Sequence, residues 1–328
     1  MESVIEQGAV QAAIGARYDI ERELGRGGMA TVYDRAGREL RVIPARLPWA
    51  PRFSADGRRV AYGANAQARD SSDLWVTDLE SGATERLTTD ATDNNDPQWS
   101  PDGKLIAFSA NADNAKDLFI TGGEGGGRAR SLTRRPGYQY TSDWLRDGSA
   151  VLFTDVPLTG QMAGNQSIWV QPMDGSEARP YVATPANEFG ARASPDGRWV
   201  AFQSNETGRD EVYVESYPTP GRKTVVSNRG GVHPAWKRDA KELYYWEGDQ
   251  LVAVRLEAGA ANGSIVVRDR TPLFRVPYPG GVTAMYDVSS DGSRFIIAAG
   301  HERANRLVVT LNALSAEAVS APQATTKR

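Results

Sequence analysis

The sequence predicts an all-β fold: a six-bladed β-propeller of four-stranded antiparallel blades. Two observations predict it. A unit built around one tight turn recurs six times along the 328 residues. Between the turns, the apolar segments are short, rich in Val, Ile, Leu and aromatics, and bounded by Gly, Asp, Asn and Pro, which are strand signals. Only the first twenty residues leave room for a helical period.

The turn segments are PRFSADGRRVAY at 51–62, PQWSPDGKLIAF at 97–108, SDWLRDGSAVLF at 142–153, ARASPDGRWVAF at 191–202, PAWKRDAKELYY at 234–245 and YDVSSDGSRFII at 286–297. Their shared aspartates, Asp56, Asp102, Asp147, Asp196, Asp239 and Asp291, recur every 43–52 residues, the length of a propeller blade. In S-P-D-G, Pro pre-sets φ at the second turn position, Asp suits the third, and Gly accepts positive φ at the fourth. Six near-equivalent copies make these aspartates turn residues rather than paired catalytic carboxylates. Phe53, Trp99, Trp144 and Trp236, just before the turn, are expected to pack between neighbouring blades.

A second apolar element comes after each turn: DLWVTDL at 73–79, DLFI at 117–120, SIWV at 167–170, EVYV at 211–214, LVAV at 251–254 and RLVVTL at 306–311. A further one comes next in the first four units: TERLT at 84–88, ARSLT at 129–133, ARPYV at 178–182 and KTVVS at 223–227. With the stretch before the turn, each unit has four strands. For ring closure, 34–44 is expected to complete the sixth blade beside 306–312, removing two exposed edges.

Composition narrows the function classes. Hydrophobic residues are 40% and charged residues 24%, ordinary for a globular protein with a full core. The formal net charge of −3 argues against a nucleic-acid binder. With no cysteine, and with His233 and His301 as the two histidines, thiolate chemistry and multi-histidine metal sites are excluded. The N-terminus has early acidic residues and no apolar h-region, and no apolar run is long enough to span a bilayer. The expected location is therefore cytoplasmic. No G-x-S-x-G elbow is present. The Asp/Asn-rich stretch 90–97 lacks EF-hand spacing and reads as a solvated loop, and 122–129 reads as a strand connection.

The repeat pattern, W-S-P-D-G-x-x-I-A-F with D-L-W-V and R-L-T after it, resembles the WD40-like PD40 repeat of TolB-type propellers, over about residues 34–312. That resemblance implies six blades and a non-enzymatic role in binding, and it implies the periplasm as the alternative location. Asp239 is followed by Ala240 instead of Gly, and the sixth unit is degenerate; both depart from the pattern. A second resemblance lies at 18–33, YDIERELGRGGMATVY. Gly25, Gly27, Gly28, Ala30 and Val32 match the Gly-rich loop of a bacterial serine/threonine protein kinase of the eukaryotic-like kind. The rest of a kinase is absent: the first lysine is Lys104, and there is no HRD or DFG triplet.

The expected organisation is a kinase-like, partly disordered remnant at 1–33, a propeller at 34–315 and a disordered tail at 316–328. The expected function is a non-enzymatic, monomeric scaffold or sensor module that binds a protein or peptide, without cofactor, metal or nucleic acid. A residual kinase and a propeller lyase or glycosidase are the alternatives. The longer loops opposite the S-P-D-G turns are the expected binding face, with Asn94, Tyr138, Tyr140, Glu188, Phe189, Arg229, His233 and Tyr278 as candidates because aromatics and arginine anchor interfaces.

Overall fold

In the computed structural model, which describes residues 29–298 apart from 46–47, 66–70, 90–91, 113–114, 126, 159–164, 260–263 and 279–283, the tight turns close by one repeated set of bonds. Ser54 Oγ donates to Asp56 Oδ1 (2.6 Å), which also accepts the Arg58 N–H (3.0 Å). The Gly57 N–H donates to the Ser54 carbonyl (2.8 Å), with Gly57 at φ +67°. Ser100–Asp102, Ser194–Asp196 and Ser289–Asp291 repeat the hydroxyl–carboxylate bond at 2.6 Å. These bonds favour the ionised acid, and Ser289 above all holds the Asp291 carboxyl down at about 2. In the fifth unit Ala240 adopts φ +56° where the others have Gly, and Lys237 Nζ, 3.2 Å from Asp239, stands in for the serine.

Among the described residues the turns connect twenty-four strands, and no helix occurs. The chain begins with β1 (Met29–Asp34) and β2 (Glu39–Pro44). Four-strand units come next: β3 (Trp49–Phe53), β4 (Arg59–Asn65), β5 (Ser72–Asp78) and β6 (Thr84–Arg86), then β7 (Asn94–Trp99), β8 (Leu105–Ala112), β9 (Ala115–Gly122) and β10 (Arg130–Ser131). After these lie β11 (Tyr138–Trp144), β12 (Ala150–Val156), β13 (Ser167–Pro172) and β14 (Arg179–Val182), then β15 (Glu188–Ala193), β16 (Trp199–Ser204), β17 (Glu211–Ser216) and β18 (Lys223–Val225). The chain continues with β19 (Val232–Trp236), β20 (Glu242–Glu247), β21 (Gln250–Ala258) and β22 (Ile265–Arg275), and ends with β23 (Tyr286–Val288) and β24 (Arg294–Ala298). Pairing within each unit is antiparallel, first strand to second to third to fourth.

A second repeated device joins the third strand to the segment after the fourth. Thr88 Oγ1 donates to Asp73 (3.0 Å) and accepts the Leu74 N–H (3.0 Å). Thr133 does the same with Asp117 and Leu118, and Ser227 with Glu211 and Val212. This explains why an acidic residue opens the D-L-W element and a hydroxyl ends R-L-T. The buried carboxylate and the amide are both satisfied by one side chain.

The sheets pack face to face around a ring. The first strands β3, β7, β11, β15, β19 and β23 each contact the next, and β23 returns to β3. Apolar cores fill the wedges between sheets: Trp99 packs with Ala61, Leu74, Ile106 and Phe108, and Trp236 with Trp199, Val212, Leu243 and Tyr245. The pre-turn aromatics thus sit between neighbouring blades, each worth about 1.5–3 kcal/mol in transfer from water.

Two expectations are corrected. Six separate sheets are not what the hydrogen bonding gives: four sheets of four strands stand alone, and one sheet has eight. The eight-stranded sheet arises because Tyr138, at the start of β11, makes a parallel bridge to Lys116 on β9. Ring closure also differs. The strand beside β24 is β1, paired from Ala30–Ala298 to Asp34–Arg294, with β2 outside it. The segments 306–311 and 306–312 lie outside the described residues, and β1 takes the place expected for them. Five residues of β1 come from the segment assigned to the kinase-like remnant. Ala30 and Val32 of that resemblance are buried against Phe53, Val60 and Ile296, whereas Gly25, Gly27 and Gly28 lie outside the described residues. The fourth strand of the fifth unit, β22, was not among the segments read from the sequence; it pairs along nearly the whole of β21.

Candidate functional site

The first strands of the six repeat units line the axis, and five of them carry a register shift: at 49/52, 95/98, 141/143, 189/192 and 232/235. Four of these bulges place a residue at positive φ: Ala50, Asp96, Gly190 and His233. A bulge re-aims the side chains beyond it. Two positions further along, immediately before the pre-turn residue, each blade presents one side chain to the axis: Arg52, Gln98, Asp143, Arg192, Ala235 and Asp287. All six line one cavity of about 120 Å³ on the axis, together with turn residues such as Ser54, Arg146, Pro195 and Arg238.

The polar members of this ring bond in a definite pattern. Arg52 Nη1 donates to the carbonyls of Pro51, Ala284 and Tyr286 at 2.8–3.1 Å, tying the first unit to β23 and its approach. Arg192 Nη1 donates to Gln98 Oε1 across the axis (3.1 Å). Arginine has no acceptor, so the Gln98 oxygen faces Arg192 and its amide nitrogen faces away. Asp287 Oδ2 accepts the Phe53 N–H (2.9 Å), and Asp143 accepts the N–H groups of Trp144 (2.8 Å) and Ala193 (3.1 Å). Burial pushes the Asp143 carboxyl up. Burial, helped by the like charge of Arg192, pushes the Arg52 guanidinium down to about 10.

The eight residues chosen from sequence lie elsewhere on the same strands and loops. The structure brings two of them together: the Tyr278 hydroxyl is 2.8 Å from His233 Nδ1 and accepts the Met285 N–H (3.0 Å), and its ring stacks on Trp246 at 4.4 Å. Burial pushes the Tyr278 phenol up. The others hold local positions. Asn94 is buried and donates to the Thr92 carbonyl. Tyr138 makes the bridge to β9, and the Tyr140 ring lies 5.6 Å from Lys116 Nζ. Glu188 accepts from the Thr184 hydroxyl and N–H, and burial pushes its carboxyl up. Phe189, half-buried, pairs with Gln203 across the sheet. Arg229 is exposed and 2.6 Å from Glu247.

The axial ring is not among the residues the sequence singled out. The cavity is lined by the S-P-D-G turns, on the face opposite the loops expected to bind. The available signal was the residue before each pre-turn position, which is polar or charged in five units (Arg, Gln, Asp, Arg, Asp) although its neighbours are buried. Among the described residues no group of three His, Asp or Glu side chains is placed to hold a metal ion. No helix among them is long and apolar enough to cross a membrane.

Comparison with known proteins places this geometry. The PD40 family, TolB beta propeller domain, matches residues 32–156. A Bacillus subtilis protein described as the uncharacterized peptidase YuxL is 27% identical over 198 residues, 49% of this chain and 30% of that protein. A TolB homolog of Chlorobium luteolum is 25% identical over 196 residues, 57% of this chain and 42% of that protein. The chain therefore spans less than half the length of either relative. Among solved structures, a putative TolB from Agrobacterium tumefaciens superposes with a TM-score of 0.66 at 18% identity, covering 84% of this chain and 98% of that one. The sheet topology, the partial family match and that superposition together identify the fold: an all-β propeller of four-stranded antiparallel blades, similar to TolB.

Proposed function

We propose that this chain is a non-enzymatic binding module that engages a protein or peptide through the axial face of a six-bladed ring. The eight-stranded sheet counts as two blades pinned together at Tyr138 and Lys116, which makes the six first strands six blades. The observation that carries the reading is the axial ring itself. One register position is filled by Arg52, Gln98, Asp143, Arg192, Ala235 and Asp287 on a frame whose turns and clasps repeat. Variation confined to the convergence point of a repeated scaffold is how such folds carry recognition. The resemblance of 18–33 to a kinase Gly-rich loop supports a setting beside a bacterial serine/threonine kinase, with this chain as its sensor or scaffold part.

A phage-displayed peptide library selected on the full chain tests this. Enriched peptides are expected to bind saturably and to be recovered intact. Cleavage of bound peptides would overturn the non-enzymatic reading, and enrichment no greater than on an unrelated propeller would overturn the binding one.

A further inference from the structure

The axial cavity carries more positive charge than its surroundings account for. Its charged lining consists of Arg52, Arg146, Arg192 and Arg238 against Asp143 and Asp287, four cations to two anions, in a chain whose formal net charge is −3. Both carboxylates already accept backbone N–H groups. Among the described residues none of the four arginines has a carboxylate within ion-pair distance. Arg52 is 5% exposed and Gln98 2%. Arg52 Nε and Gln98 Nε2 are buried without a hydrogen-bond partner. A buried guanidinium that hydrogen-bonds only to carbonyls, beside a second guanidinium and an unpartnered amide, is costly, and the field of Asp287 and Asp96 offsets that cost only in part. An oxyanion in the cavity would offset the two cations in excess and offer acceptors to the guanidinium and amide groups that line it. A cation is disfavoured there by the four arginines.

We propose that the axial cavity is a binding site for a single small oxyanion, a carboxylate or phosphate group, held by Arg52, Arg192 and Gln98 with Arg146 and Arg238 at its rim. The volume of about 120 Å³ admits one such group and little more. The inference rests on the binding-module reading and makes it specific: the partner presents an anionic group to the axis. The two can fail separately, because peptides selected on the full chain can bind whether or not a free anion does.

Calorimetric titration of the full chain with acetate and with inorganic phosphate, at matched chloride, tests it. Saturable binding in the millimolar range or tighter is expected; tighter acetate binding points to a carboxylate source, tighter phosphate binding to a phosphorylated one. Arg146→Ala, at an exposed rim position, is expected to keep the fold and weaken binding about threefold or more through loss of one nearby charge. Gln98→Glu is expected to abolish binding and to raise the melting temperature in anion-free buffer, because it supplies the missing carboxylate internally. A purely structural glutamine would do neither. Absence of saturable binding for both anions overturns the proposal, as does unaltered affinity in the Arg146→Ala protein.

Discussion

Two kinds of junction hold neighbouring blades together at the axis, and they use opposite chemistry. At three junctions a tryptophan of the later blade donates its indole N–H to a carbonyl of the earlier one: Trp99 to Arg52 (3.2 Å), Trp144 to Gln98 (3.0 Å) and Trp236 to Arg192 (3.0 Å). At two junctions the later blade has no indole at that position, having Ala193 or Phe53 instead. There the earlier blade supplies an aspartate, and Asp143 and Asp287 accept the backbone N–H of Ala193 and Phe53. The later blade still donates and the earlier one still accepts, but side chain and backbone have exchanged roles, and the junction still has one hydrogen bond. A degenerate repeat is here a compensated one. The two junction aspartates also act on the axial arginines through space, Asp287 on Arg52 and Asp143 on Arg192, yet the lining holds four arginines to two carboxylates.

Substitution separates the two kinds of junction. The largest effect is expected at a tryptophan junction. Trp144→Ala should cost about 3–5 kcal/mol in urea unfolding, because it removes a buried aromatic as well as a bond. At the aspartate junction, Asp287→Ala should cost about 1–3 kcal/mol, the penalty for leaving the Phe53 N–H unsatisfied. A cost near that of Trp144→Ala would mean that the two kinds are not distinguished by apolar burial. A finer contrast lies in pH. Asp143 has its carboxyl raised by burial, so wild-type folding gains less from this group as pH rises above the unfolded value near 3.8. The stability deficit of Asp143→Asn should therefore shrink between pH 3 and pH 7, by thermal melts at each pH. Asp291 in the turn has the reverse sign, with its carboxyl held at about 2. Its contribution is present above about pH 4 and lost as pH falls towards 2, so Asp291→Asn should be destabilised at neutral pH and indistinguishable from wild type near pH 2. Trp144→Phe, with no titrating group, should show a pH-independent deficit. The smallest effects lie away from the junctions. Ala240→Gly should stabilise by up to about 1 kcal/mol and Gly103→Ala destabilise by about 1–2 kcal/mol, since both positions have positive φ and a Cβ at Gly103 would meet no atom within 4 Å.

Much of the frame was legible because its determinants are local. Ser100, Asp102 and Gly103 lie within four residues, and their bonds form within the turn, so the motif could be read wherever it occurs. Asp73 and Thr88 are fifteen residues apart, close enough for the D-L-W and R-L-T elements to be seen as one unit. Ring closure was not legible in the same way. The pairing of β1 with β24 joins residues 260 or more positions apart, and RLVVTL at 306–311 has the composition of a strand, so composition alone could not choose between them. The axial ring failed for a different reason. Arg52 or Gln98 taken singly is only a polar residue in an alternating strand, and its meaning appears when five strands bulge together and bring one residue from each blade to the axis. The candidate residues on the opposite loops were chosen by type, and Asn94 and Glu188 proved to be buried in local hydrogen bonding.

The sheet formed by β1, β2, β23 and β24 takes two strands from each end of the described chain. During synthesis, Met29–Pro44 leave the ribosome before every other strand of the ring but have no partner sheet until Ala298 has emerged. Every other blade can pair as soon as its own fourth strand is made. Of the described strands, the first to be translated are thus the last to be sheltered, and a permuted gene opened between β2 and β3 would make every blade contiguous and abolish that wait.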